Sequence, residues 1–274
     1  MGKADSFWQM VASRWQKLGT PLRPSEEDQK IVTKAVYSWI SENGKARILL
    51  LGVTPELAEI ELPEDSELLS VDYCREMLDH VWPDLDEPNK KAIVANWLDL
   101  PLENHSRDLV ISDGPFGAMR YPADFRNLLQ SVSRVLQPDG QFIFRTFIKP
   151  DPPEDPHHVY EDALAGKISS FSTFQYRLVT ALQPDTETGT NFNDVYLSWK
   201  TDGPNPETLA TNTGWSMENI QKFESYCGSD FVFTFPSLEQ LRDLIIDEGF
   251  RELECIWPSY EFGNRCPTII CTPE

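Results

Sequence analysis

Residues 47–52 read Arg47-Ile48-Leu49-Leu50-Leu51-Gly52, and residues 108–116 read Asp108-Leu109-Val110-Ile111-Ser112-Asp113-Gly114-Pro115-Phe116. Each is a short run, apolar on both faces, that stops at a glycine or an acid followed by a glycine. A strand that buries both faces belongs in a parallel sheet covered by helices. Three more such runs lie nearby: Leu68-Leu69-Ser70-Val71, Ala92-Ile93-Val94-Ala95 and Gln141-Phe142-Ile143-Phe144. Between the fourth and fifth, Phe125, Leu128, Leu129, Val132, Val135 and Leu136 recur at helical spacing, and Pro138-Asp139-Gly140 reads as the turn closing that helix. The alternation predicts an α/β doubly wound sheet.

Working outward, Phe7, Met10, Val11, Trp15 and Leu18 predict a helix over 5–18. Ser25 with Asp28 caps a second helix over 26–42, which buries Ile31, Ala35, Val36 and Trp39 and stops at Glu42-Asn43-Gly44. On the other side the rhythm breaks after Phe147 and resumes at Ser237-Leu238-Glu239-Gln240, a capping box with Leu241, Leu244 and Ile245 inward. Closing strands are expected over 253–257 and 268–271. The stretch 148–236 opens acidic and proline-rich but holds 13 of the chain's 31 aromatic residues. That is too long and too aromatic for a disordered linker, so it reads as an inserted lid with a helix near 160–182.

The 274 residues are 40% hydrophobic and 25% charged, an ordinary globular composition. The formal net charge of −20 repels phosphate backbones and anionic lipid, so neither nucleic acid nor a membrane is an expected partner. Five cysteines without a Cys-x-x-Cys pair suggest neither a zinc cage nor a disulfide framework. With no export signal or long apolar span, a cytoplasmic protein is expected.

In an open α/β sheet, ligands bind beyond the carboxyl ends of the strands. Gly52 ends the first strand, and Asp72 ends the second twenty residues later, the spacing at which an acid accepts both ribose hydroxyls of a nucleoside. Singly, Gly52 reads equally as a turn and Asp72 as a helix cap; together they point to a nucleoside site. Asn96 and Trp97 follow the third strand, placed to read and cover a purine, or else to cap a turn and fill core. Asp113 follows the fourth and points a carboxylate at the cleft. His157 and His158 sit in the acidic loop with Asp151, Glu154 and Asp155, where they read as solvated residues, as a base or as metal ligands, the last without a supporting His or Cys spacing. No nucleophile elbow or phosphate-cradling glycine loop is present.

With these residues in this order, plus Val135-Leu136 before Pro138-Asp139-Gly140-Gln141-Phe142, the segment 46–147, resumed at 237, resembles the class I methyltransferases that use S-adenosylmethionine. The resemblance implies a Rossmann-like, mostly parallel sheet with an antiparallel last strand. Residues 1–45 would form a helical cap, 46–147 with 237–274 the S-adenosyl-L-methionine-binding domain, and 148–236 the lid over a small-molecule methyl acceptor. It also implies Gly52 and Thr54 beneath the cofactor, Asp72 and Tyr73 at the ribose, Met77 and Asn96 at adenine, and Asp113 at the methionine amine or the substrate. Arg23, in Pro21-Leu22-Arg23-Pro24-Ser25, would meet the cofactor's carboxylate. A proton acceptor, if the reaction needs one, would be Asp113, His157 or His158. The chain departs from the family at the first motif: Leu50 replaces its acid, and Thr54 and Glu56 replace its later glycines. A binding module that has lost catalysis and regulates or scaffolds a partner is therefore the alternative. A nicotinamide oxidoreductase is disfavoured, because Thr54 and Leu57 stand where its second and third glycines belong.

Overall fold

The computed structural model describes residues 3–274, with side chains from Phe7 onward. Helix α1 (Lys3–Arg14) runs into a 3-10 turn, Trp15–Lys17, and α2 (Glu26–Asn43) follows. The Ser25 capping box forms: the Asp28 N–H donates to Ser25 Oγ at 3.2 Å, and the Ser25 N–H donates back to Asp28 Oδ2 at 2.8 Å. Then come β1 (Arg47–Leu51), α3 (Pro55–Ala58), β2 (Glu67–Asp72), α4 (Arg75–His80), β3 (Lys90–Val94), β4 (Arg107–Asp113), α5 (Ala123–Val135) and β5 (Leu136–Arg145).

The insertion carries α6 (Pro156–Leu164), α7 (Phe171–Ala181), β6 (Thr190–Asn191), α8 (Phe192–Asp202), α9 (Pro206–Thr213), α10 (Met217–Ile220) and β7 (Val232–Phe233). The chain returns through α11 (Leu238–Asp247), β8 (Phe250–Ile256) and β9 (Thr268–Pro273).

Seven strands form one sheet in the order β3-β2-β1-β4-β5-β9-β8. The first five are mutually parallel, and β9 runs antiparallel between β5 and β8. This is the Rossmann-like arrangement expected. One face packs α5 and α11 on Val110, Phe142 and Phe144; the other packs α2 on Ile48, Leu50 and Ile111.

Three local expectations are corrected. Pro138-Asp139-Gly140 does not close α5, which ends at Val135; it lies inside β5, in an irregularity of that strand where residues 137–140 fit between the pairs Arg107–Leu136 and Leu109–Gln141. The helix expected over 160–182 is two helices, separated where Gly166 takes φ +67° and Ser170 caps α7 by accepting from the Thr173 N–H at 3.0 Å. The third strand is less buried than its apolar run implied, because it edges the sheet: Ile93 and Val94 are 37% and 41% exposed.

The insertion is ordered around its own aromatics. Phe174 stacks on Trp215 with ring centroids 5.3 Å apart, and Trp199 lies 5.0 Å from Phe223. Rings this close add about 0.5–1.5 kcal/mol per pair beyond burial alone. Among the described residues, no helix is long and apolar enough to cross a membrane.

Candidate functional site

The carboxyl ends of β1 to β4 open into a cavity of about 360 Å³, within the size range of small-molecule sites. Its floor is the sheet rim, and α1 and the insertion roof it. Gly52, Thr54, Asp72, Tyr73, Met77, Asn96, Trp97 and Asp113, all expected from sequence, line it together.

At the end of β1, Gly52 takes φ +100°, a region closed to ordinary L side chains, while its N–H donates to the Val71 carbonyl at 2.9 Å. Trp97 crosses from the end of β3: its indole N–H donates to that same carbonyl at 2.6 Å, and its ring lies 3.7 Å from where a Cβ on Gly52 would stand. Trp97 is thus both floor and core, since it also packs on the apolar layer beneath α5.

Asp72 ends β2 and is 7% exposed. Its Oδ1 accepts the Cys74 N–H at 2.9 Å in a local turn, while the N-cap of α4 is Cys74 with no side-chain cap bond, so the alternative reading of Asp72 as a helix cap is not borne out and the acid faces the cavity. Burial pushes this carboxyl up to about 6, against the opposing pull of the Cys74 and Tyr73 amides. Met77 likewise serves two roles, packed with Val53 and Trp15 while bordering the void. Asn96 Oδ1 accepts the Leu98 N–H at 3.0 Å, which caps the short turn after β3 and leaves its second lone pair open.

At the other end, Asp113 is not a free base. Arg145 grips it in a fork, Nε to Oδ1 at 2.5 Å and Nη2 to Oδ2 at 3.1 Å. The guanidinium is 1% exposed and also reaches Asp28 at 3.4 Å, the Tyr260 hydroxyl at 3.2 Å and the Pro21 carbonyl at 2.9 Å. Burial works against its charge, but Asp113 and Asp28 outweigh that and hold Arg145 well above its ordinary range. Burial raises the Asp113 carboxyl above its ordinary value against the opposing pull of Arg145, and both its oxygens are bonded by that guanidinium, so Asp113 stands in a buried ion pair and not as a free carboxylate.

Arg23 is similarly committed and lies outside the cavity lining: its Nε donates to Glu56 at 2.7 Å, and its guanidinium sits 5.4 Å over the Trp15 ring. His157 and His158 are exposed on the first turn of α6 and are not among the residues that line the cavity. Among the described residues, no group of three or more His, Cys, Asp or Glu side chains could hold a metal.

Several lining residues were not singled out from sequence: Trp8 and Arg14 from α1, and Tyr176, Lys222, Tyr226 and Phe233 from the insertion. The helical stripe Phe7, Met10, Val11 and Trp15 was the available signal, but it reads as core until the cavity beneath it is seen. Burial raises the phenols of Tyr176 and Tyr226 well above their ordinary value, so they stay protonated donors. The loop after β4 is fastened to the insertion. The Thr234 N–H donates to the Gly117 carbonyl at 2.8 Å, and a Cβ on Gly117 would stand 2.2 Å from the Phe233 ring.

Residues 52–144 match the family model described as a methyltransferase domain. Among solved structures, a Rhodobacter sphaeroides protein named as a zinc-dependent alcohol dehydrogenase superposes over all of both chains at 12% identity, TM-score 0.62. A Pyrococcus horikoshii protein, 15% identical, is matched over 93% of this chain and 94% of its own, TM-score 0.54. The Burkholderia thailandensis 1,6-didemethyltoxoflavin-N1-methyltransferase, with 1,6-didemethyltoxoflavin and S-adenosylhomocysteine bound, is 12% identical over 99% of this chain and 87% of that one, TM-score 0.54. At these identities the likeness is one of fold, as the different activities named among the three illustrate. No curated protein matches the chain.

Proposed function

We propose that the chain, whose residues 52–144 match a methyltransferase-domain model, is a class I S-adenosylmethionine-dependent methyltransferase that uses S-adenosyl-L-methionine and transfers its methyl group to a small-molecule acceptor held between the sheet rim and the insertion. One observation carries this reading: Asp72, a nearly buried carboxylate at the end of β2, faces an aromatic-walled cavity at the strand ends. A buried acid costs free energy unless something accepts its company, and a ribose diol offers two donors. The residues fit the adenosyl half of the cofactor: Asp72 and Tyr73 at the sugar, Met77, Asn96 and Trp97 around the base, and Gly52 and Thr54 beneath. The cofactor supplies an electrophilic sulfonium methyl.

What the chain supplies is orientation. The phenols in the wall are donors, Asp113 is engaged by Arg145, and the apolar roof excludes water, so the residues favour catalysis by alignment over proton abstraction. The division into a helical cap (1–45), a cofactor domain (46–147 with 237–274) and a substrate-binding insertion (148–236) accords with the contributions each makes to the cavity. The acceptor bound in the Burkholderia structure supports a small molecule here; the net charge of −20 speaks against nucleic acid or a membrane surface, and five unpaired cysteines suit the reducing cytoplasm.

Calorimetry with S-adenosylhomocysteine tests the site. Wild type binds, Asp72→Ala binds far more weakly with its fold intact, and unchanged affinity would overturn the assignment. The spent Asp113 favours one second reading, a binding module without catalysis; that reading prevails if the cofactor binds but no acceptor in a broad screen yields S-adenosylhomocysteine.

A further inference from the structure

The rim where α1 meets the insertion is locally positive, in a chain with 44 acidic against 24 basic residues. Arg14 ends α1, Lys222 stands in the 3-10 turn Gln221–Tyr226, and both line the cavity. Lys17 lies nearby and bonds Glu218 at 2.6 Å across the same seam. Lys17 is the main influence holding Glu218 below the ordinary carboxylate range, with Lys222 and Arg14 acting behind it. Three cations therefore share one carboxylate, and Lys17 takes it. Among the described residues, no carboxylate bonds Arg14 or Lys222; the Lys222 ammonium rests 5.7 Å from the Phe171 ring centroid.

Two cations with no carboxylate bonded to them, lining one aromatic cavity, repel one another, and Lys222 is half-buried while Arg14 is exposed. Burial pushes the Lys222 ammonium below its ordinary value, and Arg14 adds to that shift. An anionic group placed between them relieves both penalties and gains charge-assisted hydrogen bonds, to which the planar guanidinium brings a two-point fit. The walls beside them, Phe7, Trp8, Trp15, Tyr226 and Phe233, offer flat apolar surface.

Resting on the methyl-transfer reading of this cavity, we infer that Arg14 and Lys222 form an anion subsite for the acceptor, which is a planar, largely apolar small molecule bearing a carboxylate or phosphate. The competing use of the same cations is to grip the amino-acid carboxylate of the cofactor. The two uses predict different losses.

The test is direct binding, by calorimetry and by quenching of the cavity tryptophans, with 2-naphthoate, 2-naphthyl phosphate and the neutral 2-naphthamide, each with and without S-adenosylhomocysteine. Wild type should bind at least one of the anions ten times or more tighter than the amide, and the stronger one identifies the group. The double variant Arg14→Gln/Lys222→Gln should bring that ratio within twofold while leaving the amide affinity unchanged. The charge-conserving Arg14→Lys/Lys222→Arg variant should retain most of the preference, and melting curves check that each variant folds.

Equal binding of anion and amide by wild type overturns the subsite, as does a preference that survives the double glutamine variant. It is also overturned if the variant loses S-adenosylhomocysteine tenfold but keeps 5′-methylthioadenosine, which lacks the amino-acid end; the cations would then belong to the cofactor. Failure of wild type to bind S-adenosylhomocysteine strikes the methyl-transfer reading instead, and the naphthoate comparison made without cofactor keeps the two failures distinct.

Discussion

The two ends of the cleft hold acids at matching places in the fold and use them oppositely. At the end of β2, Asp72 is bonded, among the described residues, only by neighbouring backbone amides and otherwise faces the cavity. At the end of β4, Asp113 lines the same cavity but is consumed by Arg145, which ties the β4 tip to Asp28 on α2 and to Tyr260 between β8 and β9. Arg23, the cation expected at that second end, is consumed in turn by Glu56. Position along the sheet rim tells where a charge stands; whether it remains available depends on partners from other elements, Arg145 for Asp113 and Glu56 for Arg23.

The sharpest way to break this contrast is Arg145→Met. Removing one member of a buried ion cluster leaves Asp113 and Asp28 uncompensated, which costs about 3–5 kcal/mol; chemical denaturation should show a loss of that order or outright failure to fold. A fully stable variant would mean that Asp113 is free after all. Next is Asp72→Ala. Losing two hydrogen bonds to an ionised acceptor, at about 1.5–3 kcal/mol each, should weaken S-adenosylhomocysteine binding by about a hundredfold or more, measured by calorimetry.

Acidity sharpens the same comparison. With the Asp72 carboxyl raised to about 6 in the folded protein and the ribose hydroxyls requiring its ionised form, affinity should fall by up to tenfold per pH unit below about 6 and level off above it. The sign for stability is the reverse. A folded-state value above the unfolded one gives stabilisation that is present below about 3.9 and lost as pH rises through about 6. The ligand-free Asp72→Asn protein should accordingly melt higher than wild type at pH 7.5, by an amount equivalent to about 1–3 kcal/mol, and show no such pH dependence of binding. The smallest effect is expected at the exposed pair: His157→Ala with His158→Ala should leave S-adenosylhomocysteine affinity and methyl transfer within about twofold, as surface changes usually do.

Much of this architecture is legible because local chemistry and global fold agree. The five runs apolar on both faces became adjacent parallel strands, and the Ser25 and Ser237 boxes cap helices where the serine-to-acid or serine-to-glutamine spacing placed them. What stayed hidden depends on tertiary context. Nothing local marks Lys90–Val94 as an edge, and a Pro-Asp-Gly triplet announces a turn whether or not a bulge absorbs it into a strand. The site divides the same way. Gly52 and Asp72 could be read from their spacing, whereas Arg14 and Lys222 come to line one cavity from two hundred residues apart, and no periodicity in either segment records that.

The seat of Phe233 against Gly117 carries a last consequence. Because position 117 has no side chain, the ring rests directly on the backbone of the loop after β4, which lines the cavity. Roof and wall are keyed together at this seat. A descendant of this protein that took up a bulkier acceptor by remodelling the insertion would have to recut this joint in the same step: even one methyl group at 117 dislodges the ring, and a smaller residue at 233 leaves the wall unbraced.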